Sequence, residues 1–130
     1  MLTLHHIGTL VDNIDDSLKI YQPLFGKNKI LDKMFIASQG VFVCFIEVAP
    51  QVYLELIEPA DEHSTVSHMK KKGITYYHLA YQVDNFEETV RLLSEINFKH
   101  ITTFHSEAFN NTRCSFFMSP EMHLIEILEK

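Results

Sequence analysis

The chain has 130 residues with a formal charge of −6, and its 46% hydrophobic and 22% charged residues are typical of one globular domain. The acidic balance offers no basic field for a phosphate backbone, and no apolar run reaches the ~18 residues of a membrane span, so neither nucleic acid nor a membrane is expected as a partner. The first residues, MLTLHH, lack the features of an export signal, and Cys44 and Cys114 match no zinc or redox spacing. We therefore expect a cytoplasmic protein with two reduced cysteines in its core.

The first predicted elements are an apolar strand and an amphipathic helix. The strand HIGTLVDN at 6–13 ends in Asn13, which can cap a helix whose first turn carries Asp15 and Asp16. Apolar residues then recur at helical spacing, so that one face of the helix is expected to be buried. Strands are predicted next, around 29–37, 40–48 and 51–58.

A connector and a second copy of the same pattern follow. Asp61–Gly73 (DEHSTVSHMKKKG) predicts a short helix with lysines in its last turn, and Gly73 is available for a left-handed C-cap. The segment HLAYQVDN at 78–85 then repeats HIGTLVDN, again with an asparagine, Asn85, before a helix with acidic residues in its first turn. The order βαβββ is thus predicted twice within one domain. Strands are expected around 99–104, 112–118 and 122–128, with module 1 at about 1–59, the connector helix at about 61–73 and module 2 at about 74–130.

Each predicted module begins with a histidine and ends with a glutamate. The segment LELIE at 54–58 corresponds to IEILE at 125–129, so Glu55 matches Glu126 as His6 matches His78. Alternation along the strands places these four residues on one face of the sheet, opposite an apolar face that we expect the two helices to cover. The apolar set comprises Ile7, Leu54, Leu56, Leu79, Tyr81, Val83, Ile125 and Ile127.

The duplicated histidine and glutamate suggest a metal site. A glutamate in mid-strand between aliphatic residues is costly to ionise unless a positive group meets it. Taken singly, a strand histidine is more often structural than a ligand, but two matched pairs are hard to explain as separate accidents. We therefore predict one divalent ion, such as Zn, Ni, Co or Mn, bound by mixed nitrogen and oxygen ligands. The predicted ligands are His6, Glu55, His78 and Glu126, and a one-residue register slip would exchange His6 for His5.

Three segments carry a resemblance to a known family: SQGVFVCFIEV at 38–48, LELIEPADEHSTVSHMKKKG at 54–73 and YHLAYQVDN at 77–85. They resemble the vicinal oxygen chelate superfamily, which includes glyoxalase I, methylmalonyl-CoA epimerase, extradiol dioxygenases and bleomycin resistance proteins. The likeness is strongest to methylmalonyl-CoA epimerase and glyoxalase I-like proteins. It implies an α+β fold in which two tandem βαβββ modules form a cupped mixed sheet with helices on the convex face. It implies the same four metal ligands. Because homodimers are common in this superfamily, it also implies a homodimer.

The resemblance also implies an activity. A metal-dependent enzyme of this kind stabilises an enolate by binding the carbonyl of a small-molecule substrate while a glutamate moves the α-proton. The expected substrate is an acyl-CoA or another thioester. Glu126 is the first candidate for this general base and Glu55 the second. Epimerisation of a 2-acyl thioester is the preferred reaction. A glyoxalase I-like lactoylglutathione lyase and a non-catalytic small-molecule-binding or resistance protein are the alternatives, while Glu55 argues against a ring-cleaving dioxygenase, which needs only one carboxylate.

Four further polar residues are candidate substrate contacts. Gln82 shares the strand parity of His78, and Asn110, Asn111 and Arg113 are expected in the loop before the seventh strand. Arg113 could pair with a substrate carboxylate, although a solvated loop position is an equally good interpretation.

Overall fold

The repeated sequence folds into a repeated order of elements. The computed structural model describes residues 1–130. A helix α2 connects the two copies, and no helix of the chain combines the length and the apolar character needed to cross a bilayer. The predicted α+β class and the two βαβββ modules are confirmed. The elements are β1 (Leu2–Leu10), α1 (Ile14–Phe25), β2 (Met34–Ile36), β3 (Val41–Ala49), β4 (Val52–Pro59), α2 (Thr65–Lys71), β5 (Tyr76–Val83), α3 (Phe86–Glu95), β6 (Lys99–Ser106), β7 (Thr112–Met118) and β8 (Leu124–Glu129).

Two compact units divide the chain, and their boundaries fall at the two histidines of the repeat. The first unit contains residues 6–77, and the second contains residues 1–5 and 78–130. Within the first unit the strands are ordered β2-β3-β4-β1, and within the second they are ordered β5-β8-β7-β6. In both units the first and last strands of the module are parallel neighbours, and the remaining pairs are antiparallel.

The two asparagines of the repeat cap the two long helices. The side-chain oxygen of Asn13 accepts a hydrogen bond from the backbone N–H of Asp16 at 2.9 Å, and that of Asn85 accepts from Glu88 N–H at 3.0 Å. Each bond satisfies an N–H group that has no partner inside its helix. The first helix receives a second acceptor, because Glu58 Oε1 lies 2.8 Å from the Ile14 nitrogen.

Each helix packs on one face of its own strands. In the first unit, Ile14 of α1 packs with Leu56 and Cys44 in a buried cluster, and Leu54 packs against it. In the second unit, Phe86 and Leu93 of α3 belong to a buried cluster that includes strand residues on the matching face. The expected burial of this face is confirmed for Leu56, Val83 and Ile127, and Leu54 and Ile125 are partly buried against the same clusters.

Both cysteines are buried free thiols, as expected. Burial is the main reason why the pKa of the Cys44 thiol is raised. Its sulfur lies 3.3 Å from the carbonyl oxygen of Leu31, to which the thiol donates. Cys44 therefore serves as a packed, protonated core residue.

The chain departs from the predicted strand at 29–37. Gly26 has φ +99 and ends α1, and residues 27–29 then form a 3₁₀ turn. Ile30 makes only a single bridge to Ile46 before strand β2 begins at Met34. Ile30 packs against the buried cluster of the first unit, whereas Leu31 is exposed. Only three residues of the predicted segment therefore pair as a strand.

The connector is shorter than the predicted segment at 61–73. It starts with a turn in which the Asp61 carboxylate accepts from His63 N–H at 2.8 Å, and the helix begins at Thr65. The predicted left-handed C-cap is confirmed, because Gly73 has φ +81 and its N–H donates to the Lys70 oxygen at 3.0 Å. The next N–H, of Ile74, reaches Met69 O at 3.2 Å, which completes a Schellman motif.

Loss of an asparagine cap is expected to destabilise the protein by a predictable amount. Asn13→Ala and Asn85→Ala should each lower the free energy of unfolding by about 1 kcal/mol, because a helix N–H loses its acceptor. Urea denaturation measures the change, and Asn13→Asp and Asn85→Asp are matched controls that retain the acceptor. Equal losses in the Ala and Asp variants would show that the caps do not stabilise the helices.

Candidate metal centre

The parallel pairing of β1 with β4 brings the first histidine to the first glutamate. His6 Nε2 lies 3.4 Å from Glu55 Oε1, with His6 fully buried and Glu55 only 7% exposed. In the strand register Glu55 stands beside Gly8, which follows His6 on the same face of β1. A residue without a side chain at this place leaves room for the carboxylate.

The second unit repeats this arrangement. His78 Nε2 lies 3.4 Å from Glu126 Oε1, and the two residues are 2% and 4% exposed. Glu126 stands in register beside Ala80, another small buried residue. The chain therefore contains two His–Glu pairs of the same geometry, called here the first pair (His6 and Glu55) and the second pair (His78 and Glu126).

The adjacent histidine takes no part in the first pair. His5 instead packs edge-on against Phe109, with ring centroids 5.4 Å apart and an angle of 84° between the ring planes. The register of β1 against β4 places His6, and not His5, on the face of Glu55. The register slip that would exchange His6 for His5 is therefore not present.

Each imidazole of the two pairs also contacts a phenylalanine edge-on. The ring centroids of His6 and Phe45 are 5.4 Å apart at 78°, and those of His78 and Phe116 are 5.2 Å apart at 80°. Phe45 is the cross-strand partner of Glu55, and Phe116 is the cross-strand partner of Glu126. The sequence patterns did not single out either phenylalanine, although the two occupy matching places before the two glutamates.

The donor geometry of each pair fits a shared cation. A charged hydrogen bond between imidazole and carboxylate would be about 2.7–2.9 Å long, which is shorter than the 3.4 Å in both pairs. Two donors bound to one ion at about 2.1 Å are separated by about 3.0 Å at a right angle and by about 3.4 Å at the tetrahedral angle. A buried carboxylate also needs a positive partner. Nitrogen and oxygen donors of this kind suit first-row divalent metals.

A cavity of about 300 Å³ lies within the second unit. Gln82 of β5 and Leu128 of β8 contribute to its lining, and both follow the second pair on the same strand face. At about 3.3 Å per residue, Leu128 is about 7 Å and Gln82 about 13 Å along the strands from the pair. The lining consists of Gln82, Ala108, Phe109, Asn110, Thr112, Leu128, Glu129 and Lys130.

One apolar cluster adjoins both the second pair and this cavity, because Ala80 is the register partner of Glu126 and Leu128 lines the cavity. Ala80, Cys114 and Leu128 form a buried cluster against which Phe104 and Phe109 pack. The carboxylate of Glu126 therefore lies beside a poorly solvated surface, where its electrostatic interactions are stronger than in water.

Arg113 is held away from the cavity lining. Its guanidinium pairs with Glu129 at 3.1 Å and with Glu87, and it lies over the Phe86 ring at 4.1 Å from the centroid. The hydrogen bonds that the guanidinium donates to Glu129 and, to a smaller extent, to Glu87 raise the pKa of Arg113. This side chain links β7, β8 and α3 on the helix-covered face.

Asn111 lies in the turn before β7. It has φ +61, and its N–H donates to Ser106 O at 2.8 Å. The preceding residue, Asn110, also has a positive φ and lines the cavity, whereas Asn111 does not. Of the four predicted substrate contacts, Gln82 and Asn110 line the cavity, and Asn111 and Arg113 do not.

Comparisons with known proteins place the chain in a family. A family model described as "Glyoxalase/Bleomycin resistance protein/Dioxygenase superfamily" matches residues 5–116. The uncharacterized protein YqjC of Bacillus subtilis (strain 168) is 31% identical over 132 residues, which cover 99% of this chain and 93% of that protein.

Solved structures agree with this assignment. The hypothetical protein BH1468 from Bacillus halodurans C-125 is 27% identical with a TM-score of 0.81, over 99% of this chain and 94% of that one. A variant of the Streptomyces coelicolor methylmalonyl-CoA epimerase, in complex with 2-nitronate-propionyl-CoA, shares the fold with a TM-score of 0.83 at 20% identity, over 100% and 96% of the two chains. By the family match, the relative and the folds together, the chain belongs to the glyoxalase/bleomycin resistance protein/dioxygenase superfamily, as its motifs predicted.

Proposed function

We propose that the protein is a divalent-metal-dependent enzyme that removes and returns the α-proton of a 2-acyl thioester, in the manner of a methylmalonyl-CoA epimerase. The observation that carries the proposal is the duplicated, buried His–Glu pair with its 3.4 Å donor separation. The likeness in fold to an epimerase in complex with an acyl-CoA analogue supports the substrate class.

The proposed metal ligands are His6, Glu55, His78 and Glu126, and the proposed ion is Zn, Ni, Co or Mn. His6, Glu55 and His78 are all buried and offer nitrogen or oxygen donors that could hold a metal ion. When bound, the cation would draw electron density from the substrate carbonyl and so make the neighbouring C–H more acidic.

Glu126 is the proposed general base. Its carboxylate lies beside His78 and next to the apolar cluster of Ala80, Cys114 and Leu128, where little water competes for it. It would accept the α-proton of the substrate, and the return of a proton to the opposite face of the carbon would complete an epimerisation. Glu55, the matching carboxylate of the first pair, is the second candidate because its surroundings repeat those of Glu126.

The cavity in the second unit is proposed to hold the arm of the substrate. Gln82 and Asn110, which carry side-chain amides, line it, and Phe109 and Leu128 add apolar surface. Amide donors and acceptors beside apolar side chains suit an arm that carries amide groups, such as that of an acyl-CoA thioester. Arg113 is left out of this site, because two carboxylates already engage it.

Removal of metal is expected to destabilise the protein. Metal at about 100 times its Kd stabilises the folded state by about 2.7 kcal/mol, so treatment with a chelator should lower the Tm and added Co²⁺ should restore it. Thermal melting together with elemental analysis measures this effect. The double variant His6→Ala/His78→Ala is the control and should melt at the same temperature with and without the chelator. A wild-type protein that contains no metal, and whose Tm changes with neither the chelator nor Co²⁺, would contradict the metal site.

Loss of the proposed base is expected to abolish proton exchange. In D₂O the wild type should exchange the α-proton of methylmalonyl-CoA, and Glu126→Gln should slow this exchange by about 100-fold or more. Proton NMR follows the signal. Glu47→Gln is a matched control, because the Glu47 carboxylate pairs with Lys29 at 3.0 Å on the surface, where that hydrogen bond lowers its pKa.

The same assay separates the alternatives. Turnover of the hemithioacetal of methylglyoxal and glutathione, without exchange of methylmalonyl-CoA, would replace the epimerase with a glyoxalase I-like lyase. If the protein reacts with neither compound but still binds a ligand, the remaining alternative is a non-catalytic small-molecule-binding protein.

Gln82→Leu tests the cavity. The loss of one neutral hydrogen bond to the substrate arm should raise KM for methylmalonyl-CoA by about 2- to 10-fold and leave kcat nearly unchanged. Steady-state kinetics measure both constants, and Gln22→Leu on the exposed side of α1 is the control. Equal KM values in the wild type and Gln82→Leu would remove the cavity from the substrate site.

A further inference from the structure

The two phenylalanines beside the imidazoles occupy the same place in each half of the chain. We infer that Phe45 and Phe116 are positioning residues, which hold the imidazoles of His6 and His78 with Nε2 directed at the carboxylate. The inference rests on the proposed metal site, but it concerns side chains outside the ligand set. Its basis is the repeated contact, with centroid distances of 5.4 and 5.2 Å and ring angles of 78° and 80°.

An imidazole on these strands needs such support. Rotation about the last bond of a histidine side chain is soft, so the chain alone does not fix the direction of Nε2. The next residue on the same face of the strand is small, Gly8 after His6 and Ala80 after His78, so that it can restrict the ring little. An edge-to-face contact with an aromatic ring is directional, because the positive edge of one ring meets the negative face of the other. The phenylalanine therefore selects a ring orientation as well as filling space.

Each phenylalanine is itself fixed by a further aromatic residue. Phe45 packs edge-on against Tyr53, with centroids 6.2 Å apart at 88°, and Tyr53 is the register partner of His6. Phe116 stacks on Phe104 at 5.5 Å and 23°. Both phenylalanines are buried and stand across the strand from the glutamate of their own pair. The supporting side chain is therefore rigid in both halves, although the outer aromatic contact differs.

Strand β7 provides a matched control. Phe117 directly follows Phe116, is fully buried, and points to the opposite face of the strand, where it packs with Val83 and Ile127. Replacement of either phenylalanine by leucine removes the same volume from a buried site. Only Phe116→Leu removes the ring that contacts His78.

The test is Co²⁺ affinity of the full chain, measured by competition with a chelator and by the visible absorption of the bound ion. Phe116→Leu and Phe45→Leu should each raise the Kd for Co²⁺ by about 10-fold and shift the visible spectrum, because the support of a ligand has been lost. Phe117→Leu should lower the Tm at least as much while the Kd stays within about twofold of the wild type. Phe116→Tyr keeps the aromatic ring, so its Kd for Co²⁺ should be close to that of the wild type and lower than that of Phe116→Leu.

The possible outcomes separate the two claims. An unchanged Kd and spectrum in folded Phe116→Leu and Phe45→Leu would overturn the positioning role and leave the metal site standing. Equal weakening in Phe116→Leu and Phe117→Leu would overturn it as well, since packing alone would then explain the loss. A wild type that binds no Co²⁺ would overturn the proposed function, and the positioning role with it.

Discussion

The parallel pairing of the first and last strands within each module is the constraint on which the candidate site depends. This pairing sets Glu55 beside Gly8 and Glu126 beside Ala80, and it thereby brings each carboxylate to the imidazole that precedes the small residue. Backbone hydrogen bonds fix the register, so a shift by one residue would move every one of these side chains to the helix-covered face. The backbone pairing thus positions the carboxylates and the imidazoles. The helices bury the opposite face of the strands, so that a change of register would be costly.

Much of this arrangement follows from short-range patterns in the sequence. Alternation along the strands was enough to place His6 with Glu55 and His78 with Glu126 on one face of their own strands, because side chains on a strand point alternately to its two faces. The asparagine caps and Gly73 were also predictable, since each satisfies a local backbone requirement that few residue types can meet.

Features that depend on pairing between distant strands were not predictable. Phe45 and Phe116 lie within apolar runs, and only the cross-strand register shows that they face an imidazole and not the helix-covered core. The length of β2 was overestimated because Ile30 is apolar for a contact with the core next to a turn, and it makes only a single bridge to Ile46. The partners of Arg113 are Glu87 of α3 and Glu129 of β8, and no pattern in a single sequence predicts these ion pairs.

The two modules have diverged at their final glutamates. Glu58 bonds the first N–H of α1 through a partly buried contact, whereas the matching Glu129 is bound by Arg113, which also reaches Glu87 on α3. The pairs made by Arg113 are partly exposed, and dissolved ions screen such charges far more than they screen a short bond to the backbone. Concentrated salt would therefore weaken the contact that Arg113 makes with α3, while leaving the bond between Glu58 and α1 almost unchanged.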